Sequence, residues 1–244
     1  MVFDDFLNVL GYKAKLAEIL YEVIIRQRTN RTWSEVWQEV SEMNRVEGYF
    51  VVKVMFHYIS AIAEFIAQNS IVGPERRLVF KPEVCDPFYD FFKDAIWVYI
   101  ERRDVVAQAV SLYLAAATQI WNLRPGVPRR SRPEVAYDGE KIKRHLQHFV
   151  REKEQWQLFF RHYDIAPVSI TYEEAAAAYP HYLRELLDRC GLQMVETPRP
   201  RRLLKVGDEL NEKMANRLRN DLPSSPPTSG STGGPRKSTS AMGT

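Results

Sequence analysis

The chain has 244 residues, is 45% hydrophobic and 27% charged, and carries a net charge of +3. That is ordinary globular composition with length enough for one cored domain, and it excludes a fibrous or wholly disordered chain. The basic excess is too mild and too scattered for a non-specific nucleic-acid binder.

The opening residues, MVFDDFLNVL, place an acidic pair where a secretory signal has basic residues. Apolar runs stop well short of membrane-spanning length, so no membrane span is expected. Cys85 and Cys190 lie far apart, in neither disulfide-framework nor metal-ligand spacing. A reducing, cytoplasmic setting is the expectation.

Helical spacing covers about residues 3–25, and a second helix runs from Trp33 to about Asn44. Residues 48–55, GYFVVKVM, are β-branched and aromatic and predict a buried strand. A helix over about 57–68 follows, then a loop with Gly73, Pro74, Pro82 and Pro87 as breakers. AIWVYI, residues 95–100, predicts a second strand, and 104–121 a helix. LRPGVPRRSRP, residues 123–133, is a basic, Pro-broken loop. A long helix is expected over 138–162, a third strand over 166–172, and helices over 173–178 and 180–190 with Gly191 as cap. A last helix spans about 206–220.

Residues 223–244 are rich in Pro, Ser, Thr and Gly and predict a disordered tail. Their SGSTGG lacks the flanking strand and helix of a phosphate loop. The expected organisation is one domain over 1–222 followed by that tail. Strands alternating with helices predict an α/β fold, with a parallel sheet covered on both faces.

Residues 95–121 carry the chemistry. A buried strand ends in Glu101, Arg102 and Arg103, and Asp104 is the expected N-cap of the next helix. Val106, Val110, Tyr113, Ala117 and Trp121 recur at helical steps as the core face. Asp104, Gln108, Ser111, Ala115 and Thr118 fall on another face, with Ser111 almost two turns above Asp104. An Arg at the carboxyl end of a strand and a hydroxyl on the following helix can grip one phosphate. In open α/β sheets the ligand crevice lies just there. The plainer reading also stands: Arg-Asp at such a junction is common, and Ser in an Ala-rich helix often only permits close packing.

Arg103, seven residues, then Ser111 resembles the pattern with which sulfotransferases hold the 3′-phosphate of 3′-phosphoadenosine 5′-phosphosulfate (PAPS). The surrounding Arg103, Asp104, Val106, Ala107, Gln108, Ala109, Val110, Ser111, Ala117, Thr118 and Trp121 are similar to the bacterial trehalose 2-sulfotransferase family. That family usually has Gly after the Thr; here it is Gln119. Glu154, Trp156, Phe159 and Phe160, then Ile165, Pro167, Tyr172 and Glu173, then Gly191-Leu192, extend the likeness over about residues 46–221. In the terminal helix Met214 and Leu218 replace the usual Trp and Phe, while Arg217 is kept.

The resemblance implies a three-layer, P-loop-type sulfotransferase fold. The implied reaction moves a sulfuryl group from PAPS to a sugar hydroxyl, such as one of trehalose, on a sugar or glycolipid acceptor. It implies Arg103 and Ser111 on the 3′-phosphate, Arg217 on the same nucleotide, and Lys53 and Trp121 on the substrate side. Lys53, inside the first predicted strand, either snorkels from an edge or points into the crevice; the resemblance favours the crevice.

The family opens with a strand and a Ser/Gly-rich loop that cradles the 5′-phosphosulfate, and no such loop precedes any of the three predicted strands. The chain therefore reads as N-terminally truncated, with the catalytic base and the 5′ site assigned to no residue. Little or no turnover is expected of it alone. The rival is a non-catalytic protein that binds nucleotide or sugar, or an assembly partner; a homodimer is among the assemblies allowed. His57, His145, His148, His162 and His181 make no ligand constellation by spacing, so no metal is expected. Arg124, Arg129, Arg130 and Arg132 lack the aromatic platforms of a single-strand binder, and nucleic acid is not an expected partner.

Overall fold

The computed structural model describes residues 32–44, 52–68, 79–121, 133–193, 197–198 and 208–222. The predicted helix over 3–25, the first half of the predicted strand 48–55, Arg124 to Arg132 of the basic loop and the tail 223–244 lie outside them. In chain order the elements are α1 (Trp33–Asn44), a 3-10 turn (Phe56–Tyr58), α2 (Ile59–Gln68), α3 (Pro82–Phe92), β1 (Val98–Glu101), α4 (Val105–Thr118) and α5 (Gly139–His162). They continue with β2 (Val168–Thr171), α6 (Tyr172–Ala177), α7 (His181–Arg189) and α8 (Glu209–Asp221).

Strands β1 and β2 pair in parallel, Val98 opposite Val168 and Glu101 opposite Thr171. A parallel pair needs a long crossover, and α4 with α5 provides it. The pleat sends alternate side chains to opposite faces. Val98, Val168 and Ile170 meet Ala175, Leu183, Leu186 and Leu187 of α6 and α7. Trp97 and Tyr99 face the other way, onto Phe159 and Phe160 of α5, each pair 5.5 Å between ring centroids. The result is helix, sheet, helix: a three-layer α/β arrangement with a small parallel sheet.

A second core gathers α1, α2 and α3 around Phe56, Phe65, Phe88 and Phe159. A third binds α8 to α4 and α5 through Val110, Leu114, Ile142, Met214 and Leu218. Leu114, Ile142 and Leu218 are fully buried there. Truncating one such Leu to Ala costs about 2–5 kcal/mol, so this core fixes α8 firmly against α4.

Three sequence expectations change. Residues 52–55 are not in a ladder, although Met55 keeps extended angles (φ −96, ψ 144) before the 3-10 turn. Extended, β-branched residues become a strand only where a neighbouring edge supplies partners, and among the described residues none pairs with them. Pro82 and Pro87 do not break a loop but sit in α3. Pro82 stands in the first turn, where its missing N–H is no loss. Pro87 is interior, and the burial of Cys85 and Phe88 offsets its lost hydrogen bond. The apolar row on α4 also ends early. Ala109, Val110, Tyr113 and Leu114 are buried, whereas Ala117 is exposed and Trp121 is 53% exposed. At Gln119 the left-handed backbone (φ 57) turns the chain off the helix, which takes Trp121 out of that row.

Cys85 and Cys190 are free and buried, and burial pushes the Cys85 thiol up to about 11. Among the described residues no helix is long and apolar enough to cross a membrane.

Candidate functional site

The carboxyl ends of β1 and β2 are laced together by carboxylates. Asp104 caps α4 by accepting the N–H of Ala107 at 2.9 Å, as its sequence position predicts. Glu173, just past β2, accepts the N–H of Arg103 at 3.1 Å and of Asp104 at 3.3 Å. Partial burial pushes the Glu173 carboxyl up. The backbone N–H groups and the nearby Arg102 guanidinium outweigh this and hold it below the usual carboxylate range. Glu173 is therefore a structural clasp between the ends of β1 and β2.

Glu174 does a second job. It closes a capping box with Thr171 at the start of α6 and also pairs with the guanidinium of Arg103. The Thr171 N–H and hydroxyl hold its carboxyl low, with Arg103 contributing less. The Arg103 side chain remains 61% exposed. It sits at the carboxyl end of a parallel strand and at the start of a helix, where open α/β sheets take ligands.

Helix α8 closes the other side. Asn211 Nδ2 donates to Ser111 Oγ at 3.3 Å, and the Arg219 guanidinium pairs with the Asp104 carboxylate at 2.7 Å. Ser111 and Asp104 are about two turns apart on α4, as are Asn211 and Arg219 on α8, in opposite order. The two helices thus run antiparallel. Arg217, exposed on α8, lies with its guanidinium carbon 4.1 Å over the ring of Tyr137. The Tyr137 hydroxyl donates to Asp221 at 2.6 Å. Arg103, Ser111 and Arg217 are therefore carried by one substructure, the β1–α4 junction with α8 packed on it.

Lys53 and Trp121 lie elsewhere. A cavity of about 790 Å³ runs beside β1, with Lys53, Trp97, Glu101, Arg102, Gln108 and Lys153 in its wall. That volume is within the range of small-molecule sites. Arg102 stacks over Tyr172 at 4.7 Å, and its buried Nε has no hydrogen-bond partner. Lys153 pairs with Glu101 at 2.7 Å, and Arg102 lies 3.9 Å from a Glu173 oxygen, so Lys53 is the cationic group of the wall for which no carboxylate partner is seen among the described residues. Arg103, Ser111, Arg217 and Trp121 are not among the lining residues. Trp121 lies past the end of α4.

Reading the sequence missed Arg102, Glu174, Asn211 and Arg219. Only Glu174 left a local signal, the Thr-x-x-Glu spacing of a capping box at Thr171. The other three act through contacts distant in sequence.

The profile of the Stf0 sulphotransferase family matches residues 50–221, including the whole junction between β1, α4 and α8. The chain belongs to the Stf0 sulphotransferase family. Among characterised relatives it is similar to the trehalose 2-sulfotransferase of Mycolicibacterium smegmatis, 27% identical over 128 residues, or 52% of this chain and 47% of that protein. It is similar also to the trehalose 2-sulfotransferase of Mycobacterium tuberculosis, 28% identical over 131 residues, 53% of this chain and 48% of that protein. The chain thus spans about half the length of the curated relatives it matches.

Proposed function

We propose that the chain serves sulfuryl transfer from PAPS to a sugar hydroxyl, with Arg103 and Ser111 holding the 3′-phosphate of the donor. One observation carries this reading. Arg103 presents an exposed guanidinium at the carboxyl end of β1, and Ser111 stands on the next helix about two turns on. The planar fork of Arg103 matches phosphate oxygens, and the Ser111 hydroxyl adds a short donor. Arg217, on the helix that meets Ser111, is assigned to the same nucleotide. Lys53 and Arg102 are assigned to the cavity beside β1, where an anionic or hydroxyl-rich group would meet two cations. Trehalose, which the relatives' names carry, is the first acceptor to try, alone or in a glycolipid. A soluble nucleotide donor suits a cytoplasmic setting.

The 3′-phosphate is remote from the bond that breaks. Residues that grip it bind ground state and transition state alike, so they lower KM without raising kcat. The test follows labelled sulfate from PAPS to trehalose. Arg103→Ala should raise KM for PAPS and leave kcat within about twofold. A fall in kcat at unchanged KM would move Arg103 to the reacting centre and overturn the assignment.

A second reading is binding without turnover. It is favoured by the in-chain partners of both clamp residues, Glu174 on Arg103 and Asn211 on Ser111. Saturable binding of adenosine 3′,5′-bisphosphate with no transfer to any sugar would select it.

A further inference from the structure

His57, His148 and Glu152 converge where the 3-10 turn packs on the middle of α5. His148 and Glu152 are one turn apart on α5 and share a face. His57 comes from the turn. Spacing alone paired His148 with His145 and found no third ligand; the fold brings in His57 from the turn, beside Glu152 on α5 itself.

One ligand atom from each of the three lies within 4.8 Å of the other two. His57 Nδ1 is 3.4 Å from Glu152 Oε1, and His148 Nε2 is 3.7 Å from Glu152 Oε2. Zinc bonds of about 2.0–2.2 Å in a tetrahedron set neighbouring ligand atoms about 3.3–3.5 Å apart. Each imidazole stands near that distance from a Glu152 oxygen, on different oxygens, so one ion draws the three side chains together from a spread of at most 4.8 Å.

The electrostatics ask for a cation. The Glu152 side chain is only 8% exposed, and it accepts the N–H of Phe56 at 2.9 Å. No Lys or Arg among the described residues pairs with it: neighbouring Lys153 is taken by Glu101. A buried carboxylate without a counter-charge is costly. Beside it, the buried Nδ1 of His57 has no hydrogen-bond partner. A metal ion between these groups satisfies the lone pair and the carboxylate together.

We propose that His57 Nδ1, His148 Nε2 and a Glu152 oxygen bind one divalent transition-metal ion of the Zn²⁺ class. Two imidazoles and a carboxylate suit Zn²⁺, whereas Mg²⁺ and Ca²⁺ favour all-oxygen shells. Three protein ligands leave a fourth position for water or another small ligand. Glu152 also belongs to the wall of the cavity beside β1, and the segment leading to His57 carries Lys53. The ion would therefore fasten the Lys53 segment to α5 at the edge of that cavity. Nothing in the sulfuryl-transfer reading uses these three side chains, so either stands without the other.

The experiment takes the full untagged chain, stripped with chelator, and titrates it with Zn²⁺ by calorimetry and with Co²⁺ by visible absorption. One equivalent should bind, with a cobalt ligand-field band. His148→Ala and Glu152→Gln should each weaken Zn²⁺ more than about tenfold, and His145→Ala should leave it unchanged. His148 is partly exposed, so His148→Ala decides the matter even if Glu152→Gln folds poorly. No saturable binding would overturn the proposal, as would binding that survives His148→Ala or is lost equally in His145→Ala.

Discussion

One carboxylate, that of Glu174, joins the Arg103 guanidinium to the start of α6: one oxygen pairs with Arg103 while the other accepts the N–H of Thr171 at 3.0 Å. A phosphate arriving at Arg103 competes with that carboxylate. Glu174→Gln keeps an acceptor for the capping box, where Gln serves as well as Glu, and removes the competing charge. Affinity for adenosine 3′,5′-bisphosphate should rise a few fold by calorimetry, with the melting temperature nearly unchanged, since an exposed ion pair adds little to stability. Weaker binding by this variant would mean that Glu174 positions Arg103 rather than competing for it.

Gln119 occupies backbone that favours glycine, at φ 57 just past α4, where the similar family usually has Gly. Its side chain recovers one contact, Nε2 to the carbonyl of Ala116 at 2.7 Å. The left-handed conformation costs an L-residue about 1–2 kcal/mol relative to Gly, less whatever that exposed contact returns. Gln119→Gly should therefore stabilise the chain by about 0.5–1 kcal/mol, seen as a higher urea midpoint at unchanged slope. A lower midpoint would show that the Gln119 contact outweighs the strain.

Glu173 predicts a pH dependence. Burial raises its carboxyl, but the N–H groups of Arg103 and Asp104 and the Arg102 charge prevail, and the folded value lies below the ordinary one. A depressed carboxyl contributes stability that is present above the unfolded value and is lost as pH falls through the folded value. Thermal stability should therefore decline on acidification through and below the ordinary carboxylate range. Glu173→Gln should be less stable than the parent at neutral pH, and its decline on acidification shallower. Parallel pH curves for the two proteins would remove Glu173 from that role.

What could be read from the sequence was local. AIWVYI and the stretch through Val168–Thr171 announced strands by their β-branched and aromatic content, and Asp104 announced its helix start. The family likeness of the 103–121 segment was equally local. Residues 52–55 misled because strand character depends on a partner edge, not on composition. Trp121 misled because one residue in left-handed backbone shifts everything after it off the helical row. Asn211 on Ser111 and Arg219 on Asp104 were out of reach, since only the packing of α8 on α4 brings them together.

The most direct test of the whole account compares adenosine 3′,5′-bisphosphate with adenosine 5′-monophosphate, which lacks the 3′ group. Calorimetry would be run on the parent chain, Arg103→Ala and Arg103→Lys. The parent should prefer the bisphosphate, and Arg103→Ala should lose on the order of 1.5–3 kcal/mol of that preference, the worth of a charge-assisted hydrogen bond. Arg103→Lys should recover only part, because a point charge does not reproduce the planar fork. If the parent binds both nucleotides equally, or if all three proteins bind the bisphosphate with one affinity, Arg103 is not the 3′-phosphate clamp and the proposed function loses its footing.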